Sequence, residues 1–376
     1  MRKLLFSALV FTLVFALSGW ATETRVITLG NANNIVMDDY NIFLYPSVIT
    51  MYRYLAAGEV ASSAYADYLY RVGAHYSFGE DKGVVGMYVD RMGMTLPPGA
   101  PNIDGDDMVD SRLKMFYGRP FGDTDFGMML DIYHDSYKRD GDSNDKTEKA
   151  NTALGIKLGL TLNKSLDLAA GFSFATWTNK GADGEDITKP ESNMQINLDG
   201  RYWYEYSDMV YFIPHLGFEY GASGYKVGDN SEKWNNLMFN LGWGTNIRPE
   251  EHILLLFDLG ILYSTATTKN SVELKATEMQ LPYYRVGLEG YITKWWTLRL
   301  GAEKSWDNLS YDETEDISDK YGKTSTSTYL GSGFTFGNLT LDAWLDPNFV
   351  LNGPNFVSGY DGNLAGMASI KYTWGE

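Results

Sequence analysis

Apolar and polar residues alternate along most of the chain after its N-terminal part. In 193–205, for example, apolar side chains such as Met194 share one face and polar side chains such as Gln195 share the other. The segment 152–162 alternates in the same way. Segments of about 9 to 15 residues with this period of two have the length and pattern of β-strands that cross a membrane. The pattern therefore predicts an all-β protein.

The connections between these segments are short and long in turn. Short connections are expected at 80–82, 119–122, 163–165, 206–208, 249–251, 293–294 and 337–338. Long connections are expected near 93–107, 138–149, 179–192, 222–234, 266–278, 308–323 and 347–362. A soluble β-sandwich also alternates, because one face of each sheet covers a core, but it gives no reason for short and long connections to take turns. This order is typical of a transmembrane antiparallel up-and-down β-barrel.

The number of strands follows from the need for an even count. The connections join fifteen segments, which run from about residue 65 to Trp374. Single-chain bacterial barrels have an even number of strands. A further strand at 51–59, followed by a short loop at 60–64, gives about sixteen strands. Fourteen strands stay open as an alternative if a weak segment such as 339–346 belongs to a loop.

Composition agrees with a barrel. Aromatic residues make up 15% of the chain and there are 39 glycines, as expected when aromatics fill strands and glycines occupy turns and crowded wall positions. The chain has no cysteine, which excludes a disulfide framework, a thiol nucleophile and a thiolate metal site. Several tryptophans fall at segment ends, where girdles at the two membrane interfaces are expected; they are Trp177, Trp234, Trp295, Trp296, Trp306 and Trp374.

The first 21 residues have the pattern of a secretory signal peptide. Basic Arg2 and Lys3 precede an apolar core, Leu4–Leu17, and a small-residue cleavage pattern that ends at Ala21. A retained membrane anchor is the alternative, but the core is shorter than the ~20 residues that cross a bilayer as a helix. The predicted organisation is a signal peptide at 1–21, an N-terminal segment at 22–50 and a barrel at 51–376.

The charge of the chain limits its partners and its location. The formal net charge is −17, and loss of Arg2 and Lys3 with the signal peptide makes it −19. So acidic a chain is not expected to bind nucleic acid. An exported chain with a barrel pattern is predicted to lie in the outer membrane of a Gram-negative-type cell, in contact with outer-membrane lipid.

If the apolar face of each strand meets lipid, the polar face lines the interior of the barrel. The candidate lumen-lining residues are Asp67, Arg71, His75, Arg112, Lys114, Asp131, Lys157, Asp199, Arg201, Glu205, Arg285, Glu289, Arg299 and Glu303. Unpaired charges are costly in a dry interior, so the lumen is either filled with water or crossed by a network of ion pairs. A barrel of about sixteen strands is wide enough to leave a passage, which favours the first interpretation.

Much of the acidic charge falls in predicted outer loops, as in 102–110 and 311–320. One loop has the spacing of a calcium-binding loop at Asp140, Asp142 and Asn144, but it lacks the glycine at the sixth position and the glutamate at the twelfth. The alternative is a solvated loop that bridges loosely to lipid headgroups through divalent ions. We expect no cofactor.

The histidines do not point to an enzyme. His134 and Asp135 end a predicted strand at the outer rim, where outer-membrane proteases of the omptin type pair His with Asp. Those proteases need further carboxylates across the mouth, and barrel phospholipases need a serine activated by a histidine. No motif in the chain supplies either arrangement. We therefore expect that the protein is not an enzyme.

The segment 28–49 differs from the rest of the chain. It runs TLGNANNIVMDDYNIFLYPSVI and follows neither the period of a strand nor that of a helix, yet it has too many apolar residues for a free linker. A disordered periplasmic tail is one interpretation. The other places the segment inside the barrel, where Asp38 and Asp39 would pair with lumen bases such as Arg71 or Arg112.

Residues in this part of the chain resemble the N-terminal signature of the fatty-acid-transporter-like outer-membrane barrels. That pattern has an Arg, a Gly-x-Ala, an acidic pair and an Asn-Pro-Ala; this chain has Arg25, Gly30-Asn31-Ala32, Asp38-Asp39 and Tyr45-Pro46-Ser47. Tyr45 thus stands where the family has Asn, and Ser47 where it has Ala. The resemblance implies a short hatch lodged in the barrel, with Arg25, Gly30, Asp38, Asp39 and Pro46 among its residues. Members of this superfamily include long-chain fatty acid and hydrocarbon transporters and secretion-associated shuttle barrels.

The sequence thus predicts an outer-membrane channel or transporter for the passive passage of small solutes, narrowed or gated by the N-terminal hatch. Its partners would be outer-membrane lipid and a small-molecule solute. The alternative is a non-conducting surface or secretion-accessory barrel that binds a partner protein through its long acidic outer loops.

Overall fold

The structure is a computed structural model that describes residues 23–61, 69–79, 82–91, 100–101, 112–139, 147–181, 184–269, 273–314, 317–345, 353 and 365–375. The predicted signal peptide, Asp67 and the candidate calcium ligands Asp140, Asp142 and Asn144 lie outside the described residues.

Sixteen antiparallel strands form a single closed sheet. In chain order they are β1 (Leu55–Ala61), β2 (Leu69–Ser77), β3 (Val84–Asp90), β4 (Arg112–Phe121), β5 (Thr124–Arg139), β6 (Thr147–Leu162), β7 (Leu166–Lys180), β8 (Lys189–Pro190, Met194–Tyr202 and Tyr204–Ser207), β9 (Val210–Val227), β10 (Asn230–Glu250), β11 (Ile253–Lys269), β12 (Glu273–Thr293), β13 (Trp296–Thr314), β14 (Ile317–Phe336), β15 (Leu339–Leu345) and β16 (Ala365–Thr373).

The barrel closes between its first and last strands. β1 pairs with β16 from Leu55 opposite Thr373 to Ala61 opposite Met367, and it pairs with β2 on its other side. The prediction of sixteen strands is confirmed, and the alternative of fourteen is wrong. The first strand begins at Leu55, somewhat later than the predicted start, because Met51 ends a 3₁₀ helix and residues 52–54 belong to neither helix nor strand.

The two ends of the barrel differ. Turns of two or three residues at 122–123, 163–165, 208–209, 251–252, 294–295 and 337–338 lie at one end, which we call the turn end. The opposite end is called the loop end. The start of β1 and the end of β16 both lie at the turn end. In barrels of this type the short turns face the periplasm.

Three of the predicted long loops are wrong. Strands run through the predicted loops at 222–234, 266–278 and 308–323, so that β9 to β14 are 17 to 21 residues long. A membrane is crossed by about 9 to 11 residues of a strand, and the remainder forms paired ribbons beyond the loop end. Water reaches both faces of such a ribbon, as it does at 318–328, and the alternation that marks a membrane strand is therefore lost.

Side chains along each strand alternate between the lumen and the outer surface. On β6, Leu158 and Leu160 point outward and are 44% and 40% exposed, whereas Lys157 and Thr161 point inward and are buried. The outer face is thus the apolar one, which suits lipid contact. Among the described residues, no helix is long and apolar enough to cross a membrane.

Only some of the tryptophans that were predicted to form girdles face the outer surface. Trp295 and Trp306 are exposed on the outer surface. Trp177 is buried on the inner face, where its indole donates a hydrogen bond to Thr188, and Trp234 also faces the lumen. The girdle prediction is wrong for these two tryptophans, because a residue at the loop end of a strand can face inward as readily as outward.

Candidate functional site

The residues before the first strand form a compact unit, 23–54, which we call the inner segment. It contains the helix α1 (Glu23–Thr28) and two 3₁₀ helices, Asp39–Phe43 and Pro46–Met51. The carboxylate of Asp38 caps the first 3₁₀ helix by accepting a hydrogen bond from the backbone N–H of Tyr40 (3.0 Å). Pro46 begins the second, where a missing N–H is harmless.

The inner segment lies inside the barrel, against wall positions that only glycine can occupy. A Cβ on Gly301 of β13 would lie 2.3 Å from the backbone nitrogen of Gly30, and one on Gly127 of β5 would lie 2.2 Å from the backbone nitrogen of Ser47. These wall glycines stand on opposite sides of the sixteen-strand barrel, so the segment crosses the lumen. Both lie close to the turn end, because Thr124 and Trp296 begin their strands.

Gly30 itself must be glycine. Its φ is +85°, a backbone conformation that side chains disfavour, and a Cβ would lie 2.9 Å from the carbonyl oxygen of Val286. Pro46 packs in a similarly tight place, because its atoms would contact a Cβ on Gly127 or Gly159. Two of the predicted hatch residues, Gly30 and Pro46, are therefore fixed by close approach to the wall.

Apolar contacts hold the inner segment at two places. Ile42, Tyr45 and Ile49 are fully buried with Tyr88 and Phe116 of the wall. A second cluster joins Leu29, Ile35 and Val36 to wall residues Ile213 and Leu256. Burial of each such side chain stabilises the closed arrangement by about 2 kcal/mol. The segment is therefore a packed part of the barrel interior, and the sequence explains this through its excess of apolar residues.

Arg25 connects the inner segment to the barrel wall through an ion pair. Its guanidinium makes two hydrogen bonds of 2.8 Å to Glu289 of β12 and a third of 2.8 Å to Asp38 of its own segment. Arg299 of β13 holds the same Glu289 at 2.6 Å. Burial alone would lower the pKa of Arg25, but the charges of Glu289 and Asp38 raise it above its ordinary value, so Arg25 stays protonated.

Two further bases of the wall hold the inner segment. Lys371 of β16 lies 3.1 Å from Asp39. Arg201 of β8 donates to the side-chain oxygen of Asn41 (3.1 Å), as well as to three backbone carbonyls of the segment. The predicted partners of the acidic pair, Arg71 and Arg112, instead form ion pairs with other carboxylates.

Burial also affects the tyrosines of the inner segment. Burial, with a further contribution from the charge of Glu23, raises the pKa of Tyr40 well above its ordinary value. Burial likewise raises the pKa of Tyr45, whose ring packs on the guanidinium of Arg201 at 4.5 Å. Both hydroxyls therefore stay neutral.

The predicted lumen-lining residues that the structure describes are almost all paired. The ion pairs are Arg71 with Glu23, Glu59 and Asp90; Lys114 with Asp90; Arg112 with Asp131; Lys157 with Asp199 (2.8 Å); Arg201 with Asp167 (2.8 Å); Arg285 with Asp258 (3.2 Å) and Glu303 (3.3 Å); and Arg299 with Glu289 and Asp342 (2.5 Å). His75 hydrogen-bonds to the carbonyl of Tyr52 and the hydroxyl of Tyr88, both at 2.8 Å. Glu205 is exposed near the turn end.

Two of the partners that the sequence analysis did not name are Glu59 and Asp90. Glu59 and Asp90 are fully buried and face the lumen beside Arg71. A signal was present, because Glu59 continues the inward alternation of Leu55 and Ala57, and Asp90 ends the alternating run of β3.

A cavity of about 630 Å³ lies along one side of the lumen, and no residue of the inner segment lines it. Its walls come from β4 to β11, and they extend from Asp131 and Lys157 to Ser223 and Trp234 near the loop end. The lumen thus has a filled part at the turn end and a cavity between that part and the loop end.

His134 and a possible metal site are the other candidates to be considered. His134 is exposed on the outer surface, and its ring nitrogen hydrogen-bonds to Thr152 at 2.9 Å. Within the described residues, no group of three or more histidines and carboxylates is placed to hold a metal ion.

Comparison with known proteins agrees with the architecture. The family model "Outer membrane protein beta-barrel domain" matches residues 120–282. The match covers less than half of the chain, and it agrees with the closed sixteen-strand barrel and its apolar outer face. Comparison with curated protein sequences gives no significant match.

Several solved barrels are similar in structure. A FadL homologue of Pseudomonas aeruginosa is 12% identical, with 92% of this chain and 96% of that chain covered and a TM-score of 0.42. CdiB from Escherichia coli is 10% identical over 86% of this chain, with a TM-score of 0.42, and this chain spans 63% of its length. The outer membrane channel DcaP of Acinetobacter baumannii is 13% identical, with 73% and 95% covered and a TM-score of 0.33.

Proposed function

We propose that this protein is an outer-membrane channel for the passive passage of small solutes and that the inner segment is its hatch. The observation that carries the proposal is the division of the lumen into a filled turn end and a cavity towards the loop end. A solute that enters from outside would reach the cavity first and would pass the hatch last. Membrane lipid contacts the apolar outer face, and export would use the N-terminal signal peptide.

Movement of the hatch, rather than of the barrel, would open the passage. The barrel is closed by backbone hydrogen bonds between all neighbouring strands, whereas the hatch is held by side-chain contacts. These contacts are separate from the strand pairing, so the hatch can leave without breaking the sheet.

Planar-bilayer conductance and liposome swelling test the channel. The full-length protein should conduct weakly, and a variant that lacks residues 28–49 should conduct strongly and admit small solutes. Heat-modifiable migration on gels would show that the shortened barrel is folded. A folded variant without conductance or swelling would refute the proposal.

A second candidate function is a non-conducting surface or secretion-accessory barrel. One observation favours it: every charged lumen candidate within the described residues except Glu205 has an ion pair. Such a network can hold a barrel shut. A protein of this kind would bind a partner through its acidic outer region, and detergent extracts should then yield a co-purifying protein while conductance stays absent even without the hatch.

A further inference from the structure

The cavity above the hatch is lined by an unusual number of carboxamide side chains. Four of them face the lumen there, from β8, β10 and the residue just before Met194: Asn193, Gln195, Asn197 and Asn236. A carboxamide offers a hydrogen-bond donor and an acceptor side by side. The cavity therefore presents paired donors and acceptors without a net charge from these groups.

The amides differ in what they already contact. Asn193 is structural, because its oxygen accepts hydrogen bonds from the hydroxyl of Ser223 (2.6 Å) and the backbone of Gly224 (3.2 Å). Asn236 donates to Glu219 at 3.1 Å, which leaves its oxygen available. Among the described residues, Gln195 and Asn197 have no side-chain hydrogen bond, so their amides face the cavity unpaired.

Two of the amides are positioned by glycines on the neighbouring strands. Asn197 is the direct cross-strand partner of Gly171, and Asn236 is that of Gly221. A Cβ on Gly171 would lie 2.0 Å from the oxygen of Asn197, and one on Gly221 would lie 2.1 Å from the oxygen of Asn236. Each amide thus lies flat against the wall over a glycine, which fixes its direction and keeps the cavity wide.

Most charges around the cavity are paired, and Glu219, which also lines it, accepts a hydrogen bond from Asn236. Lys157 is paired with Asp199 at 2.8 Å, and Arg112 is paired with Asp131. An anionic ligand would have to compete with these existing pairs and would also meet the carboxylate of Glu219. An acyl chain would leave the amides without partners, which is costly in a confined site.

An aromatic surface completes the site. Trp234 lines the cavity at its loop-end side, and its ring stacks on Tyr225 with centroids 5.4 Å apart and planes 15° apart. A ring held in this way can pack against the C–H face of a ligand while amides bind its polar edge.

We infer that this cavity binds an uncharged, hydroxyl-rich solute of the size of a mono- or disaccharide. Neighbouring hydroxyls match the donor and acceptor of Asn197 and Asn236, and a volume of about 630 Å³ lies in the range of small-molecule sites. The inference deepens the proposed function by naming the class of solute that the channel would carry.

Isothermal titration of the full-length barrel with maltose tests this inference directly. The detergent should be a polyoxyethylene, because a maltoside would compete with the probe. Maltose should bind, whereas sodium glutamate, lysine and sodium laurate should not. Absence of heat with maltose up to about 50 mM, a very weak affinity, would overturn the inference, as would preferred binding of laurate or of a charged probe.

Matched variants locate the site. Asn197→Leu and Asn236→Leu should each weaken maltose binding by about tenfold, since each removes a hydrogen-bonding group. Asn308→Leu, on the outer face of β13, makes the same change away from the cavity and should leave binding unaltered. Equal binding by all three variants would contradict the assignment.

The two proposals can fail separately. Maltose binding in a protein that never conducts, even without residues 28–49, would preserve this site and remove the channel. Conductance without maltose binding would preserve the channel and remove this site.

Discussion

At the scale of single residues, Arg25 is the most consequential contact between the hatch and the wall. Its planar guanidinium binds both oxygens of Glu289 and, with its remaining nitrogen, Asp38. This geometry needs arginine, because lysine cannot make the same forked contact. The charge of Glu289 is shared with Arg299, so removal of Arg25 leaves the wall paired and affects mainly the hatch.

We expect Arg25→Gln to weaken the hold on the hatch by about 3 kcal/mol, the scale for breaking a buried ion pair. The displaced state should then become roughly a hundredfold more populated. Hydrogen exchange of the backbone amides at 23–54 should speed up, and channel openings in bilayers should become more frequent. Arg25→Lys should have a smaller effect of the same sign.

The exposed Arg248 at the turn end of β10 provides the control. Arg248→Gln makes the same change in charge without touching the hatch and should alter neither exchange nor openings. Equal behaviour of Arg25→Gln and Arg248→Gln would show that the Arg25 pair does not hold the hatch.

At the scale of elements, the sequence predicts the positions of the strands well. It predicts less well the connections between the strands and the ion pairs that their side chains form. Strands that cross lipid must alternate, and the turns 163–165 and 337–338 lie where the sequence places them. The alternation does not predict the ribbons of β9 to β14, because both faces of each ribbon are exposed to water. The ion partners of Arg71 and Asp39 were missed because pairing across a lumen depends on strand register, and alternation alone does not supply register.

The wall glycines are the clearest case of information that only packing reveals. In the sequence, Gly290 and Gly301 look alike, since both interrupt alternating strands. In the barrel, a Cβ on Gly301 would meet the backbone of Gly30 and of Thr28, whereas a Cβ on Gly290 would meet nothing within 4 Å. Gly301 is therefore part of the wall surface against which the hatch packs, which we call the hatch seat, and Gly290 is not.

This difference predicts that Gly301→Ala loosens the hatch and Gly290→Ala does not. Overpacking against backbone should cost about 2 kcal/mol, and the hatch can relieve it by moving away from β13. Amide exchange at Gly30 and its neighbours should therefore speed up in Gly301→Ala alone, with the same heat-modifiable barrel in both variants. A similar change in both would mean that either substitution disturbs the sheet itself.

At the scale of the whole molecule, the barrel combines a rigid wall with a separately held interior. Strand pairing is continuous around the sheet, and the hatch depends on charge pairs and on two apolar clusters on opposite sides of the lumen. In the proposed channel, a solute in the cavity has to displace the hatch, or a part of it, to reach the periplasm. The proposed channel therefore requires the hatch to move.

A disulfide across the hatch seat tests this motion. The hydroxyl oxygens of Ser47 in the hatch and Thr161 in β6 lie 2.9 Å apart, close enough for the sulfurs of two cysteines to join with small adjustments. The natural chain has no cysteine, so Ser47→Cys with Thr161→Cys creates a single possible bond. Under oxidising conditions the locked hatch should reduce conductance to about a tenth, and a thiol reductant should restore it.

The single variants Ser47→Cys and Thr161→Cys, which cannot form the bond within one chain, should show no response to the reductant. Equal conductance of the locked and the reduced double variant would show that solutes pass without movement of this part of the hatch. The route would then lie between the hatch and the wall on another side, and the second 3₁₀ helix, Pro46–Met51, would be a fixed part of the wall. Because the lock joins β6 to that helix only, repeating it near Gly30 and β13 would identify which half of the hatch moves.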